Sequence, residues 1–292
     1  MNVTAETVIV ISGASSGIGR ALALALARKG ARLGLLARRI DRLNDVANEC
    51  RDAGGSAVAI ECDVTKRESF ASSIDTIAQH FGAIDVLVNN AGRGHHAYVE
   101  DTPDEQIENI FRVNVFSLWY GSTAAIPHMR ARGGGLIVNI SSLAGKVGYP
   151  ANAAYVAAKH AVIGFSRALR AELAETGIDV MTVIPAGVAT DWADVVEGGS
   201  MLDLFTYERE RGEAIARERD VEMPASPRLL NADEVAAMIV DAIEHPQPEV
   251  YTHPGSREMA LAAECDAAAF EQSQVPNWLA NREGYLKSKQ KR

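Results

Sequence analysis

The sequence predicts an α/β fold: a doubly wound parallel sheet of about seven strands with helices on both faces. Three observations carry that prediction. Short apolar runs alternate with longer helical stretches along most of the chain. The runs are apolar at consecutive positions, as strands buried on both faces are. A glycine-rich turn, Gly13-Ala14-Ser15-Ser16-Gly17-Ile18-Gly19, stands between the first run and the first helical stretch. There such a fold can bring a helix N-terminus to an anion.

Strands are expected at 7–11, 32–37, 57–62, 84–89, 135–140, 179–184 and 249–251. Helices are expected at 18–29, 41–53, 66–81, 104–132, 152–176 and 232–244. Right-handed crossovers place such strands in one sheet. Thr102-Pro103-Asp104-Glu105 offers a capping hydroxyl, a proline in the first turn and acids at the positive helix end. Asn231-Ala232-Asp233-Glu234 repeats the theme without the proline. Segment 191–228 breaks the rhythm with Gly198-Gly199, a charged run at 207–220, Pro224 and Pro227. It reads as an insertion of mobile helices over a cleft. One domain therefore spans 1–292, with that insertion and a tail from about 254 for which the pattern gives no account. Lys287 to Arg292 reads as a frayed, solvated end.

The bulk numbers exclude several functions. A net charge of −9 and a pI of about 5.3 disfavour nucleic acid and anionic membranes as partners. Cys50, Cys62 and Cys265 are far apart and form no Cys-x-x-Cys, so neither a zinc site nor a disulfide framework is expected. The N-terminus has no basic region, and the apolar run 8–11 is too short for a signal peptide or membrane span. A reducing cytoplasm is the expected compartment. The glycosylation patterns at Asn2 and Asn139 are discounted, the second because it lies in an expected buried strand.

The chemistry centres on Ser142, Tyr155 and Lys159. Tyr155 and Lys159 are four apart in an alanine-rich helical stretch, so they share a face roughly 6 Å apart along the axis. A phenol ordinarily loses its proton near pH 10. An adjacent ammonium favours the phenolate, and a move toward 7 needs about 4 kcal/mol. Proton exchange with a carbonyl or alcohol oxygen follows from such a group. Tyr285 and Lys289 repeat the spacing in a polar terminus and are read as coincidence.

The glycine spacing Gly-x-x-x-Gly-x-Gly, Asn89-Asn90-Ala91-Gly92 after the fourth strand, Asn114, Ser142, Tyr155 and Lys159 resemble the short-chain dehydrogenase/reductase family, in its compact single-domain branch. The resemblance covers 7–190 well and 231–252 loosely. It implies that Gly13, Ser15, Ser16, Ile18 and Gly19 hold the pyrophosphate and adjoining ribose of a nicotinamide dinucleotide. Asp63 and Val64 would contact adenine, and Asn90, Ala91 and Gly92 would support the floor. Tyr155 would be the acid/base, Ser142 would bond the reacting oxygen, and Lys159 would lower the Tyr155 pKa and bind ribose. Asn114 would place Lys159 and a water in a proton relay. Pro185, Val188 and Thr190 would flank the nicotinamide. The chain departs from the family pattern at Ser12, where threonine is usual, and at Ala186, where glycine is usual. Relatives pair through the helix carrying Tyr155, so a homodimer or homotetramer is expected, with Ala161, Phe165, Ala168 and Leu169 on its outer face.

The end of the second strand bears on cofactor choice. Leu35-Leu36-Ala37-Arg38-Arg39 has alanine where a 2′-hydroxyl-binding acid would stand. Arg38 offers a planar charged fork to a 2′-phosphate. Arg39 either adds to it or is solvated, and Ser15 can donate a further bond. NADP(H) is therefore expected over NAD(H). His95, His96, Tyr149 and Trp192 are candidates to line the substrate cleft, and Met201-Leu202-Leu204-Phe205 a candidate lid face. No metal is expected. The reading is an NADP(H)-dependent reductase of a small ketone or aldehyde. Reduction of carrier-bound 3-oxoacyl groups and a non-catalytic nucleotide sensor are the alternatives.

Overall fold

Neighbouring residues of the first strand, β1 (Val8–Ser12), point to opposite faces of a sheet, and both faces are covered. Ile9 and Ile11 join one apolar core. Val8 and Val10 join a second. That two-sided burial is why the run is apolar at every position.

The computed structural model describes residues 1–190, 202–223 and 227–289. After β1 come α1 (Gly17–Ala27), β2 (Arg32–Ala37), α2 (Ile40–Asp52), β3 (Ser56–Glu61), α3 (Arg67–Phe81), β4 (Val86–Asn89), α4 (Asp104–Phe111) and α5 (Ser117–Arg132). The chain continues through β5 (Gly135–Ile140), α6 (Ala153–Glu172), β6 (Ile178–Ile184), β7 (Val188–Ala189), α7 (Leu202–Arg219), β8 (Leu230–Asn231) and α8 (Ala232–Glu244). It ends with β9 (Glu249–Tyr251), α9 (Ser256–Cys265) and α10 (Ala267–Lys289). Seven strands form one sheet in the order β3-β2-β1-β4-β5-β6-β9. Every neighbouring pair is parallel. The order reverses between β1 and β4, and the crevice beyond their carboxyl ends is where such a sheet takes a ligand. Trp192 and Met201 lie outside the described residues.

Helices α1, α2 and α8 cover one face, with Leu22, Leu26, Leu43, Val46, Val235 and Ile239 in its core. Helices α3, α5 and α6 cover the other, with Phe70, Ile74, Ile77, Met129 and Leu173. Phe70, Ile74 and Ile77 fall at helical spacing on α3 and are fully buried. Each such side chain contributes about 2 kcal/mol. Leu169, expected on the outer face of α6, turns into this second core.

Three local expectations differ from the structure. The helix expected at 104–132 is interrupted by a π-turn at Arg112–Phe116. The helix expected to run to 176 ends at Glu172, because Glu175 and Gly177 take positive φ as the chain reverses into β6. Thr102 does not cap α4; Pro103 holds that position, and the Thr102 hydroxyl donates to the Tyr98 carbonyl at 2.8 Å. The cap at Asn231 forms fully, with reciprocal bonds of 2.9 Å between Asn231 and Glu234.

The tail is the largest difference. It folds into α9 and α10, and α10 lies against α7 and the segment 96–101. Arg211 pairs with Glu283 at 2.9 Å. Lys287 donates to the Tyr207 hydroxyl at 2.7 Å. The Tyr285 hydroxyl donates to Asp101 at 2.8 Å, and Lys289 pairs with the same carboxylate. The Tyr285 ring meets those of Tyr98 and His96 at centroid distances of 4.6 and 5.8 Å. The end is thus ordered through Lys289, by partners that no local pattern reveals. Among the described residues, no helix is long and apolar enough to cross a membrane.

Candidate active site

At the switch point, the turn after β1 is welded to the end of β4. The Ser12 hydroxyl donates to the Val88 carbonyl at 3.3 Å and accepts the N–H groups of Asn90 and Ala91, each at 3.1 Å. The Asn90 carboxamide donates to the carbonyls of Ser12 and Gly13 at 3.0 and 3.2 Å. Gly13 has φ 68°, and a Cβ there would stand 2.9 Å from Ala91 Cα; one on Gly19 would stand 2.5 Å from the Gly13 carbonyl. The backbone therefore passes itself too closely for any side chain. The N-cap residue of α1, Ser16, makes no side-chain capping bond. A cradle of this shape, with an uncapped helix start beside the hydroxyls of Ser15 and Ser16, fits the diphosphate of a dinucleotide. Ile18 lies partly buried just inside the same helix start.

Arg39 and Arg38 part company. Arg39 reaches back over the turn, donating to the hydroxyls of Ser16 and Ser15 at 3.0 and 3.3 Å. Arg38 is exposed and makes no hydrogen bond or ion pair among the described residues. Asp63 and Val64 leave the carboxyl end of β3. One Asp63 oxygen accepts both the N–H and the hydroxyl of Thr65, at 3.1 and 2.7 Å.

Ser142 follows β5 and begins a short helical turn, its hydroxyl accepting the Ala144 N–H at 3.1 Å. Tyr155 and Lys159 lie on α6, and the Ser142 hydroxyl reaches the Tyr155 phenol. The Lys159 ammonium stands 5.6 Å from the centre of the Tyr155 ring and donates to the Ile140 carbonyl at 2.9 Å. The Ser141 hydroxyl donates to the Lys159 carbonyl at 3.0 Å, so Ser141 braces the helix while Ser142 faces the site. Burial pushes the Tyr155 phenol up to about 12, against a lowering by the Ser142 bond. Burial also pushes Lys159 down to about 8. Loss of water is the largest influence on the phenol, and the ammonium, while bonded to Ile140, stays beside its ring.

Asn114 sits in the π-turn, fully buried. Its carboxamide donates to the carbonyls of Arg93 and Ile110 at 2.9 and 3.0 Å and accepts the Arg93 N–H at 3.2 Å. A Cβ on Gly92 would meet Asn114 Oδ1 at 3.0 Å and Lys159 Nζ at 3.6 Å, so both border the same gap. The wide turn is what aims Asn114 inward.

Beyond β6, the Pro185 carbonyl accepts the Leu143 N–H at 2.7 Å, and Val188 pairs with Leu230. A Cβ on Gly17 would lie 3.4 Å from Thr190. The exit of β6 thus bridges the Ser142 segment and the glycine-rich turn. His95 and His96 are buried, Tyr149 is exposed, and the Ala97 N–H donates to Ala151 at 2.9 Å, which sets 95–98 beside the start of α6. Among the described residues no group of three His, Cys, Asp or Glu is placed to hold a metal. Sequence reasoning missed His253 behind the β6 exit and the bracing role of Ser12. A histidine at the carboxyl end of an expected strand was the available signal for the first.

A diphosphate cradle opening beside a phenol, a hydroxyl and a buried ammonium suits proton exchange with a substrate held against a soluble dinucleotide, and the fold and site together define a dinucleotide-dependent oxidoreductase. Residues 7–198 match the family described as short chain dehydrogenase. An uncharacterized oxidoreductase of Staphylococcus saprophyticus is 36% identical over 223 residues, which are 74% of this chain and 89% of that protein. The structure of a short-chain dehydrogenase/reductase from Burkholderia phymatum in complex with NAD superposes with a TM-score of 0.77 at 27% identity, over 91% of this chain and 96% of that one. An alcohol dehydrogenase from Thermococcus sibiricus complexed with 5-hydroxy-NADP gives 0.70 at 27% identity, over 85% and 96%. The chain belongs to the short-chain dehydrogenase family.

Proposed function

We propose that the protein reduces a small ketone or aldehyde to an alcohol with NADPH. The observation that carries this reading is the Tyr155 phenol with Ser142 beside it and Lys159 one turn away, set beside the glycine-rich cradle. Gly13, Ser15, Ser16, Ile18 and Gly19 hold the diphosphate and ribose, Asp63 and Val64 border the adenine, and Asn90, Ala91 and Gly92 form the floor. Pro185, Val188 and Thr190 flank the nicotinamide. When bound, the reduced nicotinamide supplies a hydride to the carbonyl carbon.

Tyr155 gives its proton to the substrate oxygen as charge grows there, and the Ser142 hydroxyl donates to the same oxygen. A phenol held up to about 12 is an acid at neutral pH, the form that reduction consumes. The Lys159 charge steadies the phenolate left behind, and Asn114 borders the gap through which a proton returns. Hydride and proton together make the alcohol.

Arg38 is unengaged and takes the 2′-phosphate of NADPH, while Arg39 stiffens the turn from behind. Association through α5 and α6 is part of this reading. Trp119 is 51% exposed beside Phe165, their rings 4.5 Å apart, and the groove there is lined by Ala161, Gly164 and Ala168. The acidic charge and the few scattered cysteines support a cytoplasmic location. The test is a side-by-side fluorescence titration with NADPH and NADH, then a carbonyl screen with Tyr155→Phe as control. Tight NADPH binding with turnover that the variant loses is expected. Well-folded protein that binds neither cofactor sinks the reading.

A further inference from the structure

The loop that leaves β6 is held from behind by one imidazole. His253 follows β9 and is 3% exposed. The main-chain N–H of Ala186 donates to its Nδ1 at 3.1 Å, and its Nε2 lies 2.8 Å from the Gly187 carbonyl. An N–H can only donate and a carbonyl can only accept. Nδ1 is therefore the bare nitrogen, Nε2 carries the proton, and the ring is neutral in a single tautomer. The Thr252 hydroxyl, 2.9 Å from Nδ1, donates to it as well. The histidine is itself anchored, because its carbonyl accepts the Ser256 hydroxyl at 2.6 Å where α9 begins.

The two groups it grips adjoin the site. Pro185, just before them, holds the Leu143 N–H next to Ser142, and the Gly187 carbonyl also accepts the Leu230 N–H at 3.1 Å. Ala186 is where this chain carries a methyl on a loop that has glycine in the family pattern. We propose that His253 is a positioning residue for the cofactor: its neutral imidazole fixes 186–187, so that segment 185–190 presents one rigid surface to the nicotinamide end of the dinucleotide. This rests on the nucleotide reading above.

Protonation breaks the clamp at Ala186, since a second ring N–H would face the Ala186 N–H, donor against donor, and would turn to the Thr252 hydroxyl, which can accept it. Burial holds the imidazole below its ordinary 6.5. The bond to the Gly187 carbonyl raises it in turn; of the charged groups facing it, Arg228 lowers it and Glu234 raises it, and these two pair with each other at 2.7 Å.

The experiment titrates the full-length protein with NADPH and with 2′-phospho-ADP-ribose, which lacks the nicotinamide. Wild type, His253→Leu and His253→Asn are compared, the asparagine keeping an acceptor near the place of Nδ1. The leucine variant should bind NADPH about tenfold more weakly and the fragment within about twofold of wild type, with partial recovery by asparagine. In wild type, the NADPH-to-fragment affinity ratio should fall as pH drops below the ordinary imidazole range. Unchanged NADPH affinity in folded His253→Leu, or equal loss for both ligands, overturns the proposal. Should the leucine variant not fold, a flat ratio in the wild-type pH series overturns it instead. Wild type that binds neither ligand overturns the nucleotide reading itself, and hydrogen exchange over 185–190 in His253→Asn then shows separately whether the imidazole holds the loop.

Discussion

The Lys159 ammonium gives a hydrogen bond to the Ile140 carbonyl 2.9 Å away, while the ring of Tyr155 stands beside it with its centre at 5.6 Å. One charge thus ties the end of β5 to α6 and stays within electrostatic reach of the phenol. Burial leaves that charge with a pKa of about 8 instead of 10.5. Between those values the unfolded chain keeps a proton that the fold gives up. Lys159 therefore adds stability as pH rises from about 8 to 10.5 and loses it as pH falls again. The full difference is about 3 kcal/mol. NMR titration of protein carrying isotope-labelled lysine should show one lysine near 8 that Lys159→Met removes. All lysines titrating above 10 would refute this.

Tyr155→Phe removes the proton donor and little else. Turnover should fall by about 10²–10⁴. The NADPH dissociation constant should change by less than about threefold, since the lost hydroxyl serves the substrate oxygen. Steady-state kinetics with a parallel binding titration separates the two, and equal losses in both would point to collapse of the cofactor site.

The two arginines after β2 should behave differently. Arg38→Ala should cost NADPH about tenfold in affinity and leave NADH unchanged, the scale of one charge-assisted bond to phosphate. Arg39→Ala should weaken both cofactors alike, because its bonds go to Ser15 and Ser16 of the turn. Reversed behaviour would move the phosphate contact to Arg39.

The tail should be felt at a distance. Tyr285→Ala deletes a ring set against Tyr98 and His96 and a hydroxyl bonded to Asp101. A loss of about 2–4 kcal/mol is expected. Hydrogen exchange should quicken over 95–101 and 207–219 but not over β1 or β4. Unchanged exchange would mean that α10 rides on the body without bracing it.

Trp119→Glu should place an unpaired charge in the groove between α5 and α6. Light scattering should then show monomers where wild type shows dimers or tetramers. A monomeric wild type would remove that interface from consideration.

Much was legible in local patterns. The six main strands are apolar on both faces, so their identity survives any tertiary detail. The glycines at 13, 17 and 19 after the first strand, and the one-turn interval between Tyr155 and Lys159 set after Ser142 in an alanine-rich helix, are local patterns; the interval alone recurs at Tyr285 and Lys289. The capping box at Asn231 is equally local, and it formed as written.

What the chain determined by itself is the class of fold, the cradle and the pairing of phenol with ammonium, because each rests on residues near one another in sequence. Tertiary structure decided the rest. The burial that raises Tyr155 and lowers Lys159 depends on how elements close over them. The Ala186–His253 and Asp101–Tyr285 bonds join residues far apart in the chain, so no periodicity records them. Desolvation and long-range hydrogen bonding exist only once distant segments meet, and in this protein they set the charge of the site and the shape of its walls.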